Sequence, residues 1–167
     1  AAQPFSIAFA DLDGFKEVND AYGHEYGDKL IFMIANGITK LTAGNAMCSR
    51  LGGDEFVVLF NGKDSAAQAK TFSDNLIAML KHPFDMEGRL ASVGASIGIA
   101  ETTGELAVSE MLRRSDIAMY KAKTAGKNRY CVFDDTFDEE RNENLSIASE
   151  LRSILASRNL DIVFQPI

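Results

Sequence analysis

The chain is short of positive charge. Against 24 Asp and Glu it carries 17 Lys and Arg in 167 residues, a formal net charge of −7. A protein that coats nucleic acid needs a basic surface to neutralise phosphates, so that role is excluded. A small anionic substrate that arrives with its own metal ions is not. Cysteine is nearly missing too. Cys48 and Cys131 make no disulfide framework, and both fall in strand-like runs, which reads as free buried thiols in a reducing cytosol. No apolar run approaches the ~20 residues of a membrane helix, so no membrane contact is expected of this stretch. Ala1-Ala2-Gln3-Pro4 lacks the basic segment that precedes a signal peptide's apolar core. It also lacks an initiator Met, so the chain reads as a piece of something longer, cytoplasmic in this part. Repeats and low-complexity tracts are absent. What is present is ordinary: 46% apolar and 25% charged residues, enough to bury the core of one domain.

The chain is organised around Arg50-Leu51-Gly52-Gly53-Asp54-Glu55-Phe56. Strand-like runs flank it, Met47 to Leu51 before and Phe56 to Phe60 after. A Gly-Gly pair between two such runs signals a tight hairpin, in which both turn residues are free to take positive φ. The turn delivers adjacent carboxylates, Asp54 and Glu55, at the start of an apolar strand. Carboxylates fixed on a rigid turn suit a hard divalent cation. A second acidic pair lies upstream, where Phe5, Ile7 and Phe9 alternate with small residues and run into Asp11-Leu12-Asp13-Gly14. Here one aspartate is expected on each face of the strand, one at the site and one capping the next helix, with the Leu12 carbonyl free as an oxygen ligand.

Between these pairs, Phe15 to Ala21 reads as a short helix, broken by Gly23-His24-Glu25-Tyr26-Gly27-Asp28. A longer helix then carries Leu30, Ile34, Ile38 and Leu41 on one stripe. Ala69, Phe72, Leu76 and Met79 mark a helix from Ser65 to Lys81, closed by His82-Pro83. A strand pair follows between Phe84 and Ala100, turning near Glu87-Gly88, and the glycines of its second strand hint at close backbone approach. Val108, Met111, Ser115, Ala118 and Ala122 stripe the last helix, stopped by Gly126, and Tyr130 to Phe133 is a final short strand. The order is β-α-β-β-α-β with an extra helix and hairpin: an α/β (α+β) domain whose central hairpin is apolar on both faces and covered by helices. Beyond Asp134 the texture changes. Residues 134–159 read as a charged linker helix with Leu145, Ala148, Leu151 and Leu155 at helical spacing. Residues 160–167 alternate as a strand that needs an adjoining sheet, the expected start of a second domain.

Taken in order, these motifs resemble the GGDEF domain, the catalytic domain of diguanylate cyclases. The resemblance covers roughly residues 5–133. It rests on Asp11-Leu12-Asp13-Gly14-Phe15-Lys16 with Asn19-Asp20, on Gly23-His24 with Gly27-Asp28, and on Gly52 to Phe56. Ser96 to Ala100 and Ala118-Met119-Tyr120-Lys121-Ala122-Lys123 complete it. The tail, Phe164-Gln165-Pro166-Ile167, is similar to the opening of an EAL phosphodiesterase domain. The resemblance implies a mostly antiparallel sheet of the palm or nucleotidyl-cyclase type, and two GTP joined into cyclic di-GMP across a homodimer. It implies Mg2+, or Mn2+, held by Asp11, the Leu12 carbonyl and Glu55, with Asp54 positioning or deprotonating the attacking hydroxyl. Asn19 and Asp28 would read guanine, Gly52 and Gly53 would let backbone approach the nucleotide, and His24 would sit near the ribose. Phe15 and Lys16 belong to the same substrate motif. Lys123 and Lys127 would reach phosphates; the commoner family residue at the second position is Arg, so phosphate clamping is expected to be weaker.

Two functions follow from different classes: an active cyclase, or a GTP-binding module that regulates a C-terminal EAL phosphodiesterase without making product. A palm-type polymerase shares the metal logic but needs a basic template groove that this chain does not advertise.

Overall fold

The structure is a computed structural model and describes residues 3–86, 88–102, 106–138 and then 150, 152, 153 and 155. The chain divides into two compact units, Ala1–Phe133 and Asp134–Ile167, and every element below belongs to the first. The linker helix read at 134–159 falls largely, and the strand at 160–167 wholly, outside the described residues; 150, 152, 153 and 155 are helical.

The sheet is built on β1 (Phe5–Asp13), whose alternation of bulky and small residues buries both faces. Its neighbours are β3 (Glu55–Asn61) and β6 (Gly94–Thr102), each antiparallel to it. Outside these lie β2 (Ala46–Gly52), antiparallel to β3, and β7 (Arg129–Val132), parallel to β6, for a sheet order β2-β3-β1-β6-β7. On one face Ile7, Phe9, Val57 and Ala100 meet Met111 and Met119 of α4 (Val108–Thr124). The other face, with Ala8, Ala10, Val58, Phe60, Ile97 and Ile99, is covered by α2 (His24–Thr42) and α3 (Ser65–Leu80). Leu30, Ile34 and Ile38 of α2 and Ala69, Phe72 and Leu76 of α3 are the expected stripes, spaced three and four apart so that each helix buries one side. The mixed, mostly antiparallel sheet with helices on both faces is the architecture the sequence called for.

Gly98 explains why α4 sits so close. A Cβ there would overlap the Ser115 carbonyl and the Met119 amide, so helix backbone lies directly on strand backbone.

Several expectations are corrected. Gly23 does separate the two helices, but the second begins at His24 and runs through Gly27-Asp28 rather than after them; Gly27 does not break it because it serves as a small residue within the helix. Residues 84–100 are not one hairpin. Strands β4 (Phe84–Met86) and β5 (Arg89–Ala91) form a separate two-stranded sheet, and β6 joins the main one. The Tyr26 hydroxyl lies 3.1 Å from the Met86 carbonyl and 2.9 Å from that of Arg89, tying this hairpin to α2. The central hairpin is buried on β3 only: β2 is an exposed edge strand. For that reason Cys48 is exposed, and Cys131 on the other edge is half-buried, not the buried thiols expected.

Candidate active site

The acidic residues meet at one end of the sheet. Asp11 and Glu55 are direct cross-strand partners, so their side chains share a face, the face of α4. The turn that precedes Glu55 is Gly53-Asp54, not Gly52-Gly53. A bulge between Arg50 and Gly52 brings Gly52 opposite Glu55, and of the two glycines Gly53 alone takes positive φ, 48°. Arg50 braces the turn by donating from Nε and Nη2 to the Gly53 carbonyl at 2.9 and 2.6 Å. The Leu12 amide donates to the Asp54 carbonyl at 3.2 Å, stitching the turn to β1.

Asp11 is 8% exposed, and Lys123 from the last turn of α4 places Nζ 2.7 Å from its Oδ2. Burial pushes the Asp11 carboxyl above its ordinary range, the Lys123 hydrogen bond and charge pull it back, and Asp54 and Asp13 push it up again. Glu55 is raised as well, first by burial and then by Asp11, Asp54 and Asp116, with Lys123 opposing. Carboxylates crowded in this way repel one another and share a deficit of positive charge. Among the described residues no three His, Cys, Asp or Glu side chains form a ready metal cage. The donor set nevertheless fits a hard cation: two desolvated carboxylates on one face, with oxygen donors only, leave coordination positions for water and phosphate oxygens.

Asp13 is a correction. Residues two apart on a strand share a face, so Asp11 and Asp13 do not lie on opposite sides. Nor does Asp13 cap α1 (Phe15–Tyr22), whose N-cap is Gly14 with no side-chain cap bond. Its carboxylate accepts instead from Ser96 Oγ at 2.9 Å and from the Asn128 amide at 3.0 Å. Sequence reading missed Ser96 and Asn128; the signal available was the two-residue period that aligns Asp13 with Asp11. Lys127 lies past the end of α4, exposed, with φ 60°.

The other cluster lies between α1 and α2. The side-chain oxygen of Asn19 is buried without a hydrogen-bond partner, the one such side-chain atom among the described residues. Gly27 makes room for it, since a Cβ there would overlap that oxygen and come within 3.1 Å of the Phe15 ring. A buried polar atom left unpaired implies a donor supplied from elsewhere. Phe15 is a core residue, 7% exposed, packed beneath this cradle. Asp28 is exposed and opens onto a groove of about 550 Å3 shared with Lys29, Phe32, Met33, Asp85 and Met86. Lys16 and His24 are exposed, as is Gly52 beside the half-buried Asp54. The structure thus gathers Asp11, Asp54, Glu55 and Lys123 at one place and Asn19, Gly27 and Phe15 at another.

Known proteins share this fold. The family model described as diguanylate cyclase, GGDEF domain, matches residues 1–129. The chain is 38% identical over 163 residues to the bifunctional diguanylate cyclase/cyclic di-GMP phosphodiesterase MucR of Pseudomonas aeruginosa, covering 97% of this chain and 24% of that protein. To the cyclic di-GMP phosphodiesterase PdeR of Escherichia coli it is 33% identical over 161 residues, covering 96% and 24%. The chain therefore spans about a quarter of the length of these relatives. Among solved structures, the GGDEF domain of TpbB (YfiN) from Pseudomonas aeruginosa matches with TM-score 0.77 and 31% identity over 84% of this chain and 83% of that one. The active GGEEF domain of a diguanylate cyclase from Vibrio cholerae matches with TM-score 0.68 and 29% identity over 79% and 84%. With its family model matched over most of its length, this chain belongs to the GGDEF domain family of diguanylate cyclases.

Proposed function

We propose that the domain is a working cyclase that condenses two GTP into cyclic di-GMP with loss of two pyrophosphates. The observation that carries this reading is the pairing of Asp11 with Glu55 across β1 and β3, beside Asp54 and within reach of Lys123. Asp11, the Leu12 carbonyl and Glu55 are the donors for Mg2+ or Mn2+, which supplies positive charge to the triphosphate when bound. Asp54, on the turn rather than in the ladder, orients the ribose 3′-hydroxyl and accepts its proton. Lys123 and Lys127 bind the triphosphate, and Gly52 and Gly53 leave the backbone bare where the nucleotide lies. The Asn19 amide and the Asp28 carboxylate bind the edge of guanine, with Phe15 beneath, and His24 and Lys16 flank the opening. Each domain holds one GTP, so turnover needs a second copy facing the first.

The decisive experiment is incubation with GTP and Mg2+, followed by separation of the nucleotides. Cyclic di-GMP is expected from the parent. Asp54→Asn is expected to make none while binding GTP within about tenfold of it, the pattern of a group that acts mainly in the transition state. Product from Asp54→Asn at the parent rate would remove Asp54 from the reaction.

A second reading has its own support. Curated relatives include proteins named as cyclic di-GMP phosphodiesterases. A GTP-binding module that controls a C-terminal EAL domain would bind GTP tightly, with no product from the parent.

A further inference from the structure

We propose that Asp13 is a positioning residue, a clamp that holds the turn after α4 in place so that Lys127 faces the triphosphate. The inference rests on the cyclase reading above, in which Lys123 and Lys127 bind phosphate.

The end of α4 is unusual in its backbone. Gly126 stands just past the helix with φ 111°, and the Lys127 amide donates to the Ala122 carbonyl at 3.1 Å while that of Gly126 donates to Lys123 at 3.3 Å. This is a Schellman closure, which needs one left-handed residue, here glycine. The left-handed run does not stop there: Lys127 and Asn128 follow with φ 60° and 48°. Asparagine visits that region readily, whereas a lysine does so at a cost. Such a conformation persists only where its surroundings over-determine it.

The surroundings are Asp13 and what pairs with it. Asp13 is the last residue of β1 and stands opposite Gly94 at the start of β6. The Asn128 amide donates to Asp13 Oδ2 at 3.0 Å. The Asn128 side chain lies against Gly94, where a Cβ would come within 3.2 Å of its Oδ1. Ser96, wholly buried, donates from Oγ to both carboxylate oxygens at 2.9 Å and fixes the carboxylate's plane. One residue further, Arg129 enters the parallel ladder opposite Ser96. The turn that carries Lys127 is therefore pinned to the strand that carries Asp11, two residues from Asp11 itself. The bond from a carboxylate to a backbone amide is charge-assisted and stronger than a neutral one.

A clamp and a bare charge predict opposite signs. Asp13 places negative charge near the proposed triphosphate site, so if it acted only through its field, Asp13→Ala would tighten GTP binding. As a clamp, its loss weakens GTP binding by roughly tenfold, the size of a lost charge-assisted hydrogen bond, and leaves guanosine, which has no phosphate, unchanged. Asp13→Asn keeps an acceptor for Asn128 and a donor for Ser96, so it is expected to bind GTP at least as well as the parent.

The test is titration of parent and variants with GTP and with guanosine, together with hydrogen exchange at the Asn128 amide by NMR. Faster Asn128 exchange and a GTP-selective loss in Asp13→Ala, with both restored in Asp13→Asn, are expected. Unchanged Asn128 exchange overturns the clamp whatever the nucleotide results. Faster exchange with equal loss for GTP and guanosine, or tighter GTP binding, overturns the positioning role. A parent that does not bind GTP overturns the cyclase reading and with it this role, while Asn128 exchange still reports whether the clamp exists.

Discussion

At Asp11 and Glu55 the fold holds two carboxylates where burial and each other's charge disfavour ionisation. Both are raised above their ordinary values of 3.8 and 4.5, so the folded domain binds protons that the unfolded chain has released. Linkage then requires stability to fall as pH rises through the window above those values. Glu55→Gln removes one of these charges and is expected to raise the melting temperature of the metal-free domain at pH 7, with a flatter pH dependence; thermal melts between pH 4 and 7 without metal check this. The same substitution is expected to abolish turnover. Lys123 acts in the other direction on Asp11, holding its carboxyl down by hydrogen bond and charge. Lys123→Met is therefore expected to raise the Asp11 carboxyl further in the metal-free domain, checked by NMR titration of its side-chain carbon, and a titration unmoved by the substitution would show that Lys123 does not hold that carboxyl down. At the base end, Gly27→Ala is expected to displace the Asn19 amide. Its GTP-over-ATP preference should fall by roughly tenfold in a competition assay, since a site built to pair a polar edge rejects analogues that leave it unpaired.

Among the elements, α4 is the one whose placement the reaction depends on. It bears Lys123 and it rests on Gly98 without an intervening side chain. Gly98→Ala would press a methyl group into the backbone of Ser115 and Met119, neither of which can turn aside. A loss of about 1–3 kcal/mol in denaturant unfolding is expected, together with weaker GTP binding as Lys123 is displaced. The elements also show where sequence reading reaches. Helices α3 and α4 and strands β1 and β3 were legible because their apolar residues recur at one period along the whole element. The start of α2 is not legible in the sequence because a glycine in a polar stretch looks like a break, whereas Gly27 is small to admit Asn19 from another helix. The separate β4–β5 hairpin is not legible either, because its anchor, the Tyr26 hydroxyl, reaches it from α2, about sixty positions away in sequence.

For the whole molecule, the cyclase reading requires two copies. Specific activity is expected to rise with protein concentration and then level off, and a rate per domain that is constant from nanomolar concentrations upward would exclude a reversible dimer as the active form. A further expectation concerns product. Many members of the resembled family carry an Arg-x-x-Asp product site ahead of the Gly-Gly turn, and the corresponding residues here are Ala43, Gly44, Asn45 and Ala46. Ala43, Gly44 and Asn45 form the exposed turn that leaves α2, with Ala43 and Gly44 at φ 46° and 77°, and Ala46, half-buried, opens β2. Without arginine to pair and stack with a dianion, no binding of cyclic di-GMP is expected on this surface. Calorimetry with cyclic di-GMP in the absence of GTP checks it, and micromolar binding that survives Gly27→Ala would show a product site elsewhere.

Sequence by itself determined the class of the domain, the identity of its acidic pairs and the family to which they point. Those features are local: a two- or 3.6-residue period, a Gly-Gly-Asp-Glu string, carboxylates next to glycines. Only the tertiary structure decided which of these residues meet. It set Asp11 opposite Glu55 through the β1–β3 register, brought Lys123 to Asp11 across more than a hundred residues, and turned Asp13 from a helix cap into a partner of Ser96 and Asn128. Register and helix seating arise from the packing of many side chains at once, and no short stretch of chain records them.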